Sequence, residues 1–109
     1  MKNFRKPKFS PTVIDDPSNP NGNVLSHVLE SYPDTPFQVM EGFNDCVIGV
    51  LERFGMEPVL VYDKEQVIQE LMDQSTMTRQ EAMEWYEVNQ LGSWVGDLTP
   101  AFLDKCLTI

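Results

Sequence analysis

The stretch EPVLVYDKEQVIQELMDQ, residues 57–74, changes its pattern at Asp63 and decides the class of the fold. The run VLVY after Pro58 is rich in β-branched and aromatic residues, which predicts a strand of four or five residues. Asp63 is placed to cap a helix, and beyond it apolar residues recur at spacings of three and four. These residues are Val67, Ile68, Leu71 and Met72. The stretch therefore predicts a strand that leads directly into an amphipathic helix ending near Gln74.

The next stretch, TMTRQEAMEWYEVNQLGSWVGDLTP, residues 76–100, carries a strong helix start signal. Thr78 is a candidate N-cap, and Glu81 three residues later completes a capping box. We expect Leu91 to end this helix and Gly92 to adopt the left-handed conformation that terminates many helices. The face predicted to be buried consists of Ala82, Trp85, Tyr86 and Asn89, whereas Glu84 and Glu87 are predicted to point to solvent.

Two further segments complete the predicted fold. In FQVMEGFNDCVIGVLERFG, residues 37–55, apolar residues at spacings of three and four predict a helix with Gly55 as its stop. Its buried side would carry Met40, Phe43, Val47, Val50, Leu51 and Phe54. The apolar run at residues 101–103 predicts a second short strand beside VLVY. The sequence thus predicts a small, mostly helical α+β domain with three main helices and a two-stranded β element.

Residues 1–36 read differently, because they contain six of the eight prolines. Such a density of prolines excludes long regular structure and predicts an extended proline-rich N-terminal arm. One short helix is expected in the arm, at NVLSHVLESY, with its apolar face packed on the main domain. The predicted division is an arm at 1–36 and a compact domain at 37–109.

Charge is distributed unevenly along the chain, which carries 17 acidic and 8 basic residues. Lys2, Arg5, Lys6 and Lys8 are half of all the basic residues, so residues 9–109 have a net charge of −13. A strongly acidic domain repels phosphate backbones and attracts basic surfaces. The composition therefore disfavours direct nucleic-acid binding and favours a partner with a basic surface.

The sequence also predicts the cellular location of the protein and the redox state of its two cysteines. No apolar run approaches the length of a membrane span, and the basic opening is not followed by the apolar stretch of a secretory signal. We expect a soluble cytoplasmic protein without a membrane partner. Cys46 and Cys106 have no CxxC partner, so reduced, buried thiols are expected rather than a disulfide or zinc framework.

The sequence offers little for catalysis. His27 is the single histidine and lies in the proline-rich arm, away from both cysteines. The segment GSWVGD lacks the lysine and the following helix of a phosphate-binding loop, and the acid pairs do not match a metal-binding loop. We therefore predict a protein without enzymatic activity, cofactor or metal, and rank a small hydrolase or metal-dependent enzyme last.

Acidic helices and one aromatic are the candidate partner-binding features. Carboxylates spaced along a helix can imitate DNA phosphates, while the alternative is that they only keep a small protein soluble. Trp85 and Tyr86 fit a core better than a site, whereas Trp94 lies beyond the helix and is the aromatic expected to anchor a partner. The candidate residues are Glu70, Asp73, Glu81, Glu84, Glu87 and Trp94.

The combination of EGFNDCVIGVLERFG, VYD and MTRQEAMEWYEVNQLGSWVGDLTP resembles a family of small uncharacterised proteins of bacteriophages and other mobile elements. The likeness covers residues 40–102 and does not include the arm. Its most specific parts are the Met-Thr-x-x-Glu-Ala start, the Asn89–Gly92 helix end and the Trp-Val-Gly turn that leads to Thr99 and Pro100. The resemblance implies a phage-encoded accessory protein acting in the host cytoplasm, and it implies no site and no activity.

Two functional hypotheses rank above an enzymatic function. The first is a non-enzymatic acidic protein that binds, and in its stronger form inhibits, a host or defence protein with a basic, nucleic-acid-binding surface. The second is a structural accessory protein, with a homo-oligomer left open, whose N-terminal arm docks on a neighbouring subunit.

Overall fold

The computed structural model describes residues 24–106 together with the backbone of Phe4–Arg5. Most of the predicted arm, including its basic tip, lies outside the described residues. The elements in chain order are strand β1 (Phe4–Arg5), helix α1 (Val24–Ser31), strand β2 (Val39–Met40), a 3-10 turn (Asn44–Cys46), strands β3 (Val47–Leu51) and β4 (Val59–Asp63), helices α2 (Lys64–Ser75) and α3 (Arg79–Trp85), a π-helical segment (Tyr86–Leu91) and strand β5 (Ala101–Leu103). They form a small α+β domain with three α-helices and a small sheet, so the predicted class is confirmed. The predicted two-stranded β element is wrong, because β3 adds a third strand to the sheet.

A three-stranded sheet in the order β3-β4-β5 forms the centre of the domain. The predicted strands at VLVY and residues 101–103 are confirmed as β4 and β5, which pair in parallel. On its other side β4 pairs antiparallel with β3, and a bulge between Val47 and Gly49 shifts the register. The central strand β4 therefore has a hydrogen-bonded neighbour on each side. A separate antiparallel pair joins β1 to β2.

The junction between β4 and α2 follows the sequence closely. The Asp63 side chain accepts the backbone N–H of Glu65 at 2.9 Å and that of Gln66 at 3.4 Å, so it caps α2 as predicted. Asp63 is buried, and Lys105 Nζ lies 2.8 Å from its carboxylate. The helix ends at Ser75, one residue past the predicted end. Thr76 follows it and adopts a left-handed conformation with φ of 56°.

Helix α3 begins with the predicted capping box. Glu81 Oε1 accepts the Thr78 N–H at 2.9 Å, and Thr78 Oγ1 accepts the Glu81 N–H at 3.2 Å. The helix widens into the π-helical segment, which ends at Leu91 as expected.

The prediction of a left-handed Gly92 is wrong, because Gly92 has a right-handed φ of −77°. Glycine is required at position 92 because a side chain would clash with the backbone of the π-helical segment. A Cβ atom would lie 2.7 Å from the Val88 carbonyl oxygen and 2.9 Å from that of Glu87.

The helix predicted over residues 37–55 is also wrong. This segment forms β2, the 3-10 turn and β3, and then a hairpin turn in which the Met56 N–H bonds the Arg53 carbonyl. Gly42 has a φ of 91°, which the interior of an α-helix does not accommodate. Burial does recur every three residues through Phe37, Met40, Phe43 and Cys46, but on irregular backbone.

The reason for the wrong helix is pairing between two β-branched runs. Val47 to Leu51 find a complementary partner in β4, and this long-range pairing outweighs the local helical spacing. Met40, Phe43 and Val47 are buried as predicted, whereas Leu51 is exposed and Phe54 lies fully exposed near the hairpin tip.

One buried cluster unites the elements. It includes Leu25 and Val28 of α1, so the short helix expected in the arm exists and packs on the domain. Tyr62 is fully buried, and its hydroxyl accepts the Met40 backbone N–H at 2.7 Å. Its ring stacks on Phe102, whose centroid is 5.8 Å away. Tyr62 thereby ties the irregular segment before β3 to the sheet.

Gln90 is an exception in this core. Its side chain is 1% exposed, and neither Nε2 nor Oε1 has a hydrogen-bond partner. Buried polar atoms without partners lower stability, since they lose their bonds to water on folding. The amide therefore opposes folding in the described structure.

Replacing Tyr62 by phenylalanine should lower the free energy of unfolding by about 1–3 kcal/mol, because the buried Met40 N–H loses its acceptor. Urea denaturation measures this. Y32F is the matched control, since Tyr32 donates to Glu52 at an exposed position. Equal stability of Y62F and the wild type would show that the Tyr62 bond contributes nothing.

Replacing Gln90 by methionine should raise the free energy of unfolding by about 1–3 kcal/mol, because it removes two buried unpaired polar atoms with little change of volume. Q80M, at an exposed position of α3, should change it by less than about 0.5 kcal/mol. A destabilised Q90M would mean that the amide is satisfied in solution.

Candidate functional site

The five candidate carboxylates lie on α2, on α3 and, for Glu87, on the π-helical segment that follows α3. On α2, Glu70 accepts a hydrogen bond from Gln74 at 3.1 Å and Asp73 accepts one from Gln69 at 3.2 Å. Glu81 holds the start of α3. Glu84 and Glu87 are exposed, as predicted.

A groove lies between the end of α2 and the outer side of α3, with a volume of about 620 Å³. It is lined by Ser75, Thr76, Met77, Glu81, Glu84, Trp85, Val88 and Asn89. Met77 and Trp85 are partly buried against the core, so they give the groove an apolar lining on one side. The groove therefore combines an aromatic ring with two carboxylates. Glu70, Asp73, Glu87 and Trp94 do not line it.

Exposed apolar side chains follow the groove along the chain. Val88 is 71% exposed, Leu91 55%, Trp94 74% and Val95 40%, and we call these four residues the apolar surface. Val88 belongs both to it and to the groove. The loop beyond is held by Thr99 Oγ1, which accepts the Val95 N–H at 2.9 Å and donates to the Gly96 carbonyl. Large exposed aromatics next to charged residues are a common feature of protein interfaces.

Three of the four Lys and Arg side chains within residues 24–106 form ion pairs, and the fourth, Arg53, lies in the turn between β3 and β4. Lys105 pairs with Asp63, and Lys64 Nζ lies 3.2 Å from Asp104. Arg79 binds both oxygens of Glu65, and the hydrogen bonds from Arg79 hold the pKa of Glu65 below its usual value. Within residues 24–106, no salt bridge involves any of the five candidate carboxylates. Their negative charge is therefore not offset by a described ion pair.

Groups for other chemistry are dispersed. The described residues contain no cluster of three or more His, Cys, Asp or Glu side chains that could hold a metal ion. Burial, with the nearby carboxylates of Glu70, Asp45 and Asp63, raises the pKa of the Cys46 thiol to about 12. Cys106 is exposed, so the expectation of a buried thiol is confirmed for Cys46 and wrong for Cys106, which lies beyond the end of β5. No helix within residues 24–106 is long and apolar enough to cross a membrane.

Sequence reasoning missed most of the groove. Trp85 was assigned to the core, and it both packs on the core and lines the groove. Val88 and Leu91 fall outside the predicted buried face of Ala82, Trp85, Tyr86 and Asn89, which was the available signal that they are exposed. The role of Met77 depends on how α2 and α3 pack together, which helical spacing does not give.

Comparisons of the chain with protein-family models, with curated proteins and with solved structures give no match. The resemblance to phage and mobile-element proteins therefore stays a prediction.

The two thiols should differ in reactivity. At pH 8, iodoacetamide should modify Cys106 within minutes and leave Cys46 unmodified in the folded protein, because Cys46 is buried and its raised pKa keeps it protonated. Mass spectrometry after digestion identifies the modified residue. In urea both thiols should react, and rapid labelling of Cys46 without denaturant would contradict its burial.

Proposed function

We propose that this protein is a non-enzymatic binding protein whose α3 side docks on a partner protein with a basic surface. The observation that carries the proposal is that Trp94 is exposed and that Val88, Leu91 and Val95 of the same stretch, residues 88–95, are exposed with it. Such a group of large side chains supplies apolar contact area, and the unpaired carboxylates of Glu84 and Glu87 supply charge complementarity.

The charge arrangement supports a basic partner over a neutral one. Lys64, Arg79 and Lys105 are already bound to Asp104, Glu65 and Asp63, so they do not offset the charge of the α3 side. Carboxylates on a helix accelerate association with a basic surface, and the apolar side chains slow dissociation. A host or defence protein that binds nucleic acid offers the matching surface, and occupying that surface would inhibit it.

The phage setting is part of the same proposal, and it rests on the sequence resemblance. The alternative, an accessory protein whose arm docks on a neighbouring subunit, has less support, since β1 pairs with β2 of the same chain. A strictly monomeric protein whose behaviour does not change on removal of residues 1–23 would count against that alternative.

Affinity capture tests the leading proposal. The tagged protein should retain a specific partner from host lysate at low salt and release it at high salt, since the charge contribution is screened. E84Q and E87Q together should weaken binding about threefold to tenfold, because exposed ion pairs contribute modestly. W94A should weaken it about thirtyfold if Trp94 is an interface hot spot.

Matched controls exist for both kinds of substitution. E30Q with D34N neutralises two exposed carboxylates elsewhere, and F54A removes an exposed aromatic from the β3–β4 hairpin. These variants should bind like the wild type. If W94A and the double variant E84Q/E87Q both retain the partner as well as the wild type does, the proposal is wrong.

A further inference from the structure

The groove beside α3 has the features of a binding site for a cationic side chain. Trp85, Met77 and Val88 give it apolar surface, and Glu81 and Glu84 add two carboxylates to the same lining. None of its lining residues is Lys or Arg. The nearest base along α3, Arg79, is held by both oxygens of Glu65. Among the described residues, the groove lining therefore carries two carboxylates and no basic side chain.

The two carboxylates are available to different degrees. Glu81 Oε1 is bound to the Thr78 N–H at 2.9 Å as part of the cap. Glu84 has a long contact of 3.5 Å from the exposed amide of Gln80, which contributes little. Glu84 is therefore the carboxylate that can accept a ligand's hydrogen bonds without disturbing the start of the helix.

We propose that this groove binds an arginine side chain from a basic segment of the partner protein. The inference rests on the proposed function and deepens it, since it names the group that the α3 side recognises. A guanidinium group stacks on an aromatic face and presents paired donors to a carboxylate, so Trp85 and Glu84 suit arginine better than lysine. Val88 and Met77 cover the aliphatic part of the side chain. The volume of about 620 Å³ also leaves space for the residues that flank the arginine.

Intrinsic fluorescence tests this directly, because the chain has two tryptophans. In the variant W94F, Trp85 is the single tryptophan and reports on the groove. The probe is an acetylated, amidated nonapeptide in which three arginines are separated by glycine and serine. Matched peptides carry lysine or the neutral isostere citrulline in place of arginine.

The arginine peptide should change Trp85 emission saturably, the lysine peptide should bind more weakly, and the citrulline peptide should leave the emission unchanged. E84Q should raise the Kd of the arginine peptide about fivefold, whereas E30Q should change it by less than twofold. E84Q leaves the capping box of Thr78 and Glu81 intact, so the variant should fold like the wild type, and its circular dichroism spectrum checks this.

Three outcomes would overturn the inference: an emission change that does not saturate, equal binding of the citrulline peptide, or equal effects of E84Q and E30Q. The two proposals fail separately. If Trp85 does not respond while W94A still weakens partner capture, the groove inference is wrong and the binding function stands. If the arginine peptide binds as expected while W94A does not weaken partner capture, the proposed function is wrong and the groove inference stands.

Discussion

The bond from the Met40 N–H to the Tyr62 hydroxyl joins the two parts of the chain on which the domain depends. Tyr62 lies on the central strand β4, and its ring packs on Phe102 of β5, which in turn packs edge-on against Tyr86 of the π-helical segment. An unpaired N–H at this depth would be costly, so Met40 is held in one place relative to the sheet. The irregular segment before β3 is thereby positioned without being a helix.

Packing around Tyr62 also decides which surfaces carry charge. Two bases meet acids near the junction where β4 leads into α2, since Lys105 pairs with buried Asp63 and Lys64 pairs with Asp104. Lys64 Nζ also lies 5.6 Å from the centre of the Tyr86 ring. Arg79 at the start of α3 pairs with Glu65 of α2, so Glu81 and Glu84 take no part in the ion pairs described within residues 24–106. The separation of charge is what gives the proposed binding surface its character.

Local signals explain where prediction succeeded and where it failed. Asp63 and Thr78 cap their helices because a side-chain oxygen satisfies nearby N–H groups, which depends only on neighbours in the chain. The helix prediction for residues 37–55 failed because the apolar spacing of this segment fits a helix locally. The hydrogen bonds that make β3 a strand come from β4, which lies later in the chain. Phe54 shows the same limit, since it is exposed only because the hairpin turns there.

The amino-acid sequence by itself determined the α+β class, the junction at Asp63, the capping box of α3, the strand at 101–103 and the acidic character of the domain. These depend on composition and on interactions over a few residues. Only the tertiary structure decided the pairing of β3 with β4, the burial of Gln90 and the groove in which Trp85 meets Glu81 and Glu84. Each of these arises where distant segments pack together, and helical or strand periodicity carries no information about which segments those are.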